Sequence, residues 1–386
     1  MDNLIIVGCV ADNPFVEDVV QHLSRQVEYS DLISLKSFLN TEFCPRFIVD
    51  EQNFNNIGNQ MAEKHVLIVS SSMGLYTRND LSMRNFLIAR AAKDNGATRV
   101  SLLEPDLFFS AQDRGPRPEH GLTGFKRDIA DYKKFDGQPF SSRLYADLLL
   151  KAGVDEVITV HNHSCAVKNL FMERFSGHFH NLQPADVYAS YMQESDIVNL
   201  KDVILCAPDK GAVPFVYEVK AALQGDETPV LVMDKERKDE REVEIKLSPS
   251  SPLTMGDIQG KDIVVIDDMV RTGKTIIECC RYLKKANPRK IVFFVTHFYS
   301  SQEGKIYLND PALDEIVTTN TIPSILNRDK QGRLRHKMVV LLIERWISKH
   351  IFDMTGTPTS LRHPLYRENM SSKNPRWKGK MGPLFS

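Results

Sequence analysis

Short apolar runs recur between amphipathic stretches along the chain: Leu4 to Val10, His65 to Val69, Arg99 to Leu103, Glu156 to Val160, Val203 to Cys206, Pro229 to Met233, Ile263 to Ile266 and Ile291 to Val295. Each has the length of a strand and is apolar at successive positions, so both faces are expected to be buried. Between them lie helical patterns such as Leu81 to Lys93 and Ser141 to Lys151. Each closes near a glycine, Gly96 or Gly153, that can cap a helix C-terminus. Buried strands alternating with helices predict an α/β protein of mostly parallel sheets with helices on both sides. Two α/β halves are expected, dividing after the run that ends at Val160.

Elsewhere the pattern lapses. Lys235 to Ser251, with KERKDEREVE followed by SPSSP, predicts a long exposed loop or a pair of short edge strands. Gln112 to Gly137 is charged, holds glycines and prolines and shows no apolar period, so it reads as a loop. Beyond His350 few aliphatics remain and a basic Lys373 to Lys380 segment follows, which predicts an extended arm. A length of 386 residues suits two domains plus extra segments. Lys+Arg 49 against Asp+Glu 50, with 42% hydrophobic residues, excludes a charge-driven nucleic-acid binder and a largely disordered chain. The acidic start and the lack of any apolar run of about 18 residues predict a cytoplasmic protein without a membrane span. Six cysteines without a CxxC spacing, Cys165, Cys206, Cys279 and Cys280 among them in or beside apolar runs, are expected to be reduced, buried thiols.

The sharpest chemistry lies in Ile263-Val-Val-Ile-Asp267-Asp268-Met-Val-Arg271-Thr272-Gly273-Lys274-Thr275, followed by an amphipathic run from Ile276 to Lys285. It reads as strand, acidic pair, tight polar loop and helix. Thr272, Gly273 and Thr275 offer hydroxyls and backbone N–H groups at a helix N-terminus, where dipole and unpaired amides favour a phosphate. Adjacent carboxylates at the strand end can accept hydrogen bonds from neighbouring sugar hydroxyls, so a sugar phosphate satisfies both halves. A Walker A loop is excluded, because Asp268 stands where its first glycine belongs.

That string resembles the phosphoribosyl diphosphate loop of type I phosphoribosyltransferase-fold proteins. The wider chain resembles ribose-phosphate diphosphokinases. Met255-Gly-Asp-Ile-Gln-Gly-Lys-Asp, Thr296-His297 and Ile316-Val-Thr-Thr-Asn-Thr-Ile-Pro323 look like segments of that family. Ser110-Ala-Gln-Asp-Arg114, Val160-His-Asn-His-Ser164, Ala207-Pro-Asp209 and Asp234-Lys-Glu-Arg237 fall in the family's order, and the resemblance covers about residues 1 to 325. It implies two type I phosphoribosyltransferase-like domains, at 1–166 and 167–327, with the active site between them. A helix at 337–350 would complete the first, and 352–386 would form a basic tail.

The resemblance also implies roles. Phe38, Asn40 and Glu42 match a loop that holds the adenine in a neighbouring subunit's site, with Asn40 where Asp is usual. Gln112 and Asp113, with Arg114, match the ATP-binding motif, whose arginine has become Ala111. His163 matches a histidine beside the nucleotide's metal and Asp209 a metal-linked aspartate, Mg²⁺ needing few protein groups when phosphates and water complete its shell. Lys235 and Arg237 match the paired cations of a catalytic loop, with His163 the third catalytic residue, while Asp267, Asp268, Arg271, Thr272, Gly273, Lys274 and Thr275 match the ribose 5-phosphate site. The implied reaction moves the β,γ-diphosphoryl group of ATP to ribose 5-phosphate. The implied assembly is a homo-oligomer, a dimer at least and a hexamer in many relatives. Ala111, Arg271, Lys274 and Phe298 depart from the family and motivate a second reading, a non-catalytic paralogue that assembles with an active synthetase. A phosphoribosyltransferase is a third reading, explaining the phosphate loop but not the ATP-side residues.

Overall fold

The computed structural model describes residues 3–11, 13–23, 32–72, 76–224, 227–237, 243–355 and 365–369, with backbone alone for 235–237, 243–244, 328 and 355. The chain divides into two compact units, Met1–Leu182 with Ile347–Leu361 and Gln183–Trp346 with Arg362–Ser386.

In the first unit the strands are β1 (Leu4–Gly8), β2 (Ile33–Ser37), β3 (Phe43–Phe47), β4 (His65–Val69), β5 (Arg99–Leu103), β6 (Glu156–Val160) and β7 (Phe179–Leu182). Its helices are α1 (Pro14–Leu23), α2 (Arg78–Asp94), α3 (Ile129–Lys134), α4 (Ser141–Ala152) and α5 (Cys165–Arg174). Five strands form a parallel sheet in the order β1-β4-β5-β6-β7, and β2 and β3 form a separate antiparallel hairpin. Val66, Ile68, Val100 and Leu102 share a core with Ile88, Leu149 and Phe171 of α2, α4 and α5. Helix α2 starts with a capping box, Thr77 and Asp80 each bonding the other's backbone N–H. Gly153 ends α4 at φ 104, where a Cβ would stand 2.5 Å from Lys93 Cγ, so glycine is required.

The second unit contains β8 (Val203–Ala207), β9 (Val230–Arg237), β10 (Val243–Leu247), β11 (Asp262–Val270), β12 (Lys290–Phe298), β13 (Glu315–Thr319), β14 (Met338–Leu342) and β15 (Arg367–Asn369). Its helices are α6 (Ala185–Glu194), α7 (Val213–Ala222), α8 (Lys274–Lys284), α9 (Gln302–Leu308) and α10 (Arg328–Gln331); α11 (Glu344–Thr355) begins in this unit. The order is β10-β9-β8-β11-β12-β13-β14-β15, antiparallel only at the two edges. The chain travels outward from β8 to β10 and returns to the other side of β8, so connection direction reverses between β8 and β11. Alternate β11 and β12 side chains face opposite layers. Ile263, Val265 and Phe293 pack with Ile276 and Leu283 of α8, while Phe294 meets the Tyr188 ring of α6 edge-on at 5.2 Å.

The fold class is the expected one, with four differences. The units divide at Leu182, because α5 and β7 complete the first sheet through pairing of Val160 with Leu182. The 337–350 segment is not one helix. Met338–Leu342 pairs in parallel with β13, and the helix runs from Glu344. The 352–386 segment is not wholly extended: 352–355 finish α11 and Arg367–Asn369 pairs with β14, while 356–364 and 370–386 lie outside the described residues. Cys165 is exposed at the start of α5, unlike Cys206, Cys279 and Cys280, which are buried. Of the two readings of 235–251, the edge pair β9–β10 forms. Among the described residues no helix is long and apolar enough to cross a membrane.

Candidate functional site

At the reversal in the second sheet, β8 ends at Ala207 and runs on into Pro208-Asp209, and β11 carries Asp267 and Asp268 near its C-terminal end. Parallel α/β sheets place ligands in the crevice that opens at such a point. Asp209 Oδ1 accepts the N–H groups of Gly211 at 2.9 Å and Ala212 at 3.2 Å, which fixes its carboxylate at the start of α7. Asp267 Oδ1 accepts the Asp268 N–H at 2.9 Å, and Asp268 Oδ1 the Met269 N–H at 2.8 Å. Burial, then the charges of Asp268 and Asp209, pushes the Asp267 carboxyl well above the usual carboxylate range. The charges of Asp209 and Asp268 thus both bear on the buried Asp267 carboxyl.

The loop after β11 ends on Gly273, whose φ of 74 starts α8. A Cβ there would lie 2.7 Å from Leu308 Cγ. Ser301 Oγ donates to the Arg271 carbonyl at 2.5 Å, holding the back of the loop, while Arg271 and Thr272 are exposed. Lys274 lies alongside the helix, its Nζ 4.0 Å from Glu278 Oε1, and Thr275 is half-buried in the first turn. Phe298 is 1% exposed and belongs to the core with Val270 and Leu308, so it is packed away from solvent. Lys235 and Arg237 stand on β9 opposite Ile245 and Val243, and their side chains lie outside the described residues. The root of that hairpin is tied down, since Asp234 accepts from Ser248 Oγ at 3.0 Å and pairs with Lys210 Nζ at 3.1 Å.

The first unit holds a second set. Beyond β5 and β6, Ser164 Oγ donates to Asp113 Oδ2 at 2.6 Å, joining the Gln112–Arg114 segment to the loop of His161 and His163. Gln112 and His163 are exposed. Two non-glycine residues in these loops, Phe109 at φ 59 and His161 at φ 45, take left-handed backbone conformations. Strain of this kind persists only where surrounding contacts enforce it, and it concentrates at working sites.

Arg114 is turned to internal use. It pairs with Asp113 at 3.1 Å and Asp131 at 3.0 Å, and its guanidinium lies 4.8 Å from the Phe135 ring centre. Asp131 also receives Arg127 at 2.6 Å, and Arg127 donates to the carbonyls of Gly115 and His120 at 2.7 and 2.8 Å. The 112–137 stretch is therefore a loop cross-braced by two arginines, with α3 inside it. Phe38, Asn40 and Glu42 lie on and at the tip of the β2–β3 hairpin. Its tip is closed by Phe38 N–H to the Glu42 carbonyl at 2.8 Å and by Glu42 N–H to Asn40 Oδ1 at 3.2 Å, and it leaves Phe38 49% exposed.

Several groups here escaped sequence reasoning. Tyr188 of α6, whose hydroxyl bonds Thr296 Oγ1 at 2.9 Å, has its ionisation suppressed by burial, reinforced by the charges of Asp268 and Asp267. Asp131 and Arg127 were hidden in a segment with no period. Glu104 carried a signal, an acid closing the otherwise apolar strand run Val100-Ser-Leu-Leu.

Among the described residues no group of three or more His, Cys, Asp or Glu side chains is arranged to hold a metal ion. The phosphoribosyl transferase domain family matches residues 184–326. A ribose-phosphate pyrophosphokinase of Corynebacterium efficiens is 28% identical over 283 residues, 73% of this chain and 77% of that protein. One from Haemophilus ducreyi is 26% identical over 313 residues, 80% of this chain and 86% of its own. Ribose-phosphate pyrophosphokinase 2 of Saccharomyces cerevisiae is 27% identical over 273 residues, 71% and 76% of the two chains. The crystal structure of a phosphoribosylpyrophosphate synthetase from Mycobacterium smegmatis matches with a TM-score of 0.68 at 21% identity, covering 92% of this chain and 99% of that one, a likeness of fold.

Proposed function

We propose that this chain, a divergent member of the ribose-phosphate diphosphokinase family, transfers the β,γ-diphosphoryl group of ATP to the C1 hydroxyl of ribose 5-phosphate, giving phosphoribosyl diphosphate and AMP. The observation that carries this reading is the meeting of Asp209, Asp267 and Asp268 beside the Gly273 loop at the β8/β11 reversal. In this reading the loop of Arg271, Thr272, Gly273, Lys274 and Thr275 holds the 5-phosphate on the α8 N-terminus, and Asp267 and Asp268 accept the ribose hydroxyls. Gln112 and Asp113, the latter braced by Arg114, hold the nucleotide with Phe38, Asn40 and Glu42 from a neighbouring copy.

The anomeric hydroxyl attacks the β-phosphorus in line and AMP departs. Little covalent work falls to side chains, so positioning and charge neutralisation dominate. Lys235 and Arg237 neutralise charge growing on the transferred and leaving oxygens. Asp209 and His163 are the groups we assign to Mg²⁺, which when bound offsets the charge of the phosphates.

The engagement of Arg114 with Asp113 and Asp131, together with Ala111, favours one second reading, a catalytically silent paralogue that assembles with an active synthetase. Incubation with ATP, ribose 5-phosphate and Mg²⁺ separates the readings. Equimolar AMP and phosphoribosyl diphosphate are expected. No AMP at any protein concentration, with stable co-assembly with an active synthetase, would establish the silent paralogue.

A further inference from the structure

Glu104 follows β5 directly and is 0% exposed, yet none of the roles above uses it. Its Oε2 accepts the Phe108 N–H at 2.8 Å, and its Oε1 lies 2.9 Å from the Tyr145 hydroxyl and 3.2 Å from Asn85 Nδ2. Tyr145, on α4, carries the constraint onward, its ring centre lying 5.1 Å from that of Phe109 and 6.4 Å from that of Phe108. Phe109 is the residue in left-handed backbone, and its carbonyl accepts the Gln112 N–H at 2.9 Å. One helical turn before Tyr145, Ser142 closes the circuit, donating its N–H at 3.3 Å and its Oγ at 2.9 Å to the Gln112 carbonyl. The segment from Glu104 to Gln112 is thus pinned at both ends to the first turns of α4, and the interior pin is a buried carboxyl.

We propose that Glu104 is a positioning residue: through Phe108 and Tyr145 its carboxyl fixes the strained backbone at Phe109 and so sets how Gln112 and Asp113 are presented to a nucleotide. The nucleotide part rests on the function proposed above. Burial, only partly offset by the Phe108 and Tyr145 hydrogen bonds, pushes the Glu104 carboxyl up to about 8. The other ionisable groups that interact with it are Cys9 just after β1, Arg78 from α2, Tyr145 from α4 and Asp106 after β5. Arg78 is itself paired with Asp106. At neutral pH the neutral acid therefore prevails. Ionisation as pH rises through about 8 places a charge in a dry pocket, and the pinned segment must rearrange to hydrate it.

The test compares wild type, Glu104→Gln and Glu104→Leu from pH 6.5 to 9, measuring KM for ATP and for ribose 5-phosphate separately, with hydrogen exchange at amides 106–113. In the wild type, KM for ATP should rise about fivefold across pH 8 while KM for ribose 5-phosphate does not follow, the scale of one hydrogen bond. Glu104→Gln carries an amide in place of the neutral acid and should abolish that rise. Glu104→Leu keeps bulk without hydrogen bonds and should show the raised KM for ATP at every pH. The same pH profile in wild type and Glu104→Gln, or equal changes in both KM values, would overturn the proposal. If Glu104→Leu does not fold, the Glu104→Gln comparison decides it. If the wild type makes no AMP, the proposed activity fails while exchange still decides the positioning role. Lower protection from exchange, relative to the intrinsic rate, at amides 106–113 above pH 8 in wild type but not in Glu104→Gln supports it, and equal protection rejects it.

Discussion

The two units carry similar parallel sheets but build their ligand-facing ends differently. In the second unit the sheet itself does it: connection direction reverses between β8 and β11, and the acids ride near the strand ends with the Arg271–Thr275 loop following β11 directly. In the first unit the strands run in chain order with no reversal, and the corresponding end is assembled from loops braced by Arg114, Arg127 and Glu104. Topology needs few side chains to place a site, whereas loops need a dense set of buried polar bonds. The second unit's site should therefore fail at single backbone positions and the first unit's through its braces.

The largest expected effect is in the second unit. Replacing Lys235 by Ala should lower the rate of AMP formation by about two to three orders of magnitude, the scale of removing one preorganised charge from a transition state. The KM for ribose 5-phosphate should change little, because the loop proposed to hold the 5-phosphate lies on a different element. Steady-state kinetics with both substrates varied measures this. An unchanged rate would remove β9 from the chemistry and leave the second unit as a binding module alone.

Next in size is Gly273→Ala. The left-handed conformation costs a Cβ-bearing residue, and that Cβ would meet Leu308 Cγ at 2.7 Å, so about 2 kcal/mol of stability should be lost. Calorimetry of ribose 5-phosphate binding should show at least a tenfold loss, since the loop cannot keep its shape. Wild-type stability together with wild-type affinity would mean that the loop's geometry is not what holds the phosphate.

The same contrast explains how much could be read beforehand. Residues 263–275 are contiguous, so strand, acids, loop and helix announce themselves in one stretch of sequence. The Asp113 to Ser164 bond joins residues 51 apart and Glu104 to Tyr145 spans 41, distances over which no local period carries information. Strand β14 escaped for another reason: Met338–Leu342 runs straight into an amphipathic helix, and periodicity cannot divide a five-residue apolar run from the helix beside it. The hairpin β2–β3 is short, and its β2 strand buries only Ile33, leaving no alternation to detect.

The smallest expected effect lies at the opposite end of the first sheet, where Glu156 opens β6. Burial alone would raise its carboxyl. Hydrogen bonds from His180 at 2.9 Å and from Ser101, with the Arg99 guanidinium, more than offset this and lower it from 4.5 to about 2. A carboxylate depressed on folding contributes stability that is fully present above its unfolded value near 4.5 and is lost as pH falls toward 2. Because Arg99 is 43% exposed, solvent screening trims the contribution to about 1 kcal/mol. Urea denaturation of wild type and Glu156→Gln should therefore show a stability gap at pH 6 that narrows progressively below pH 4.5. A gap that stays constant to pH 3 would mean the cluster stabilises by packing, and the first unit's reliance on charged braces would then be confined to its loop end.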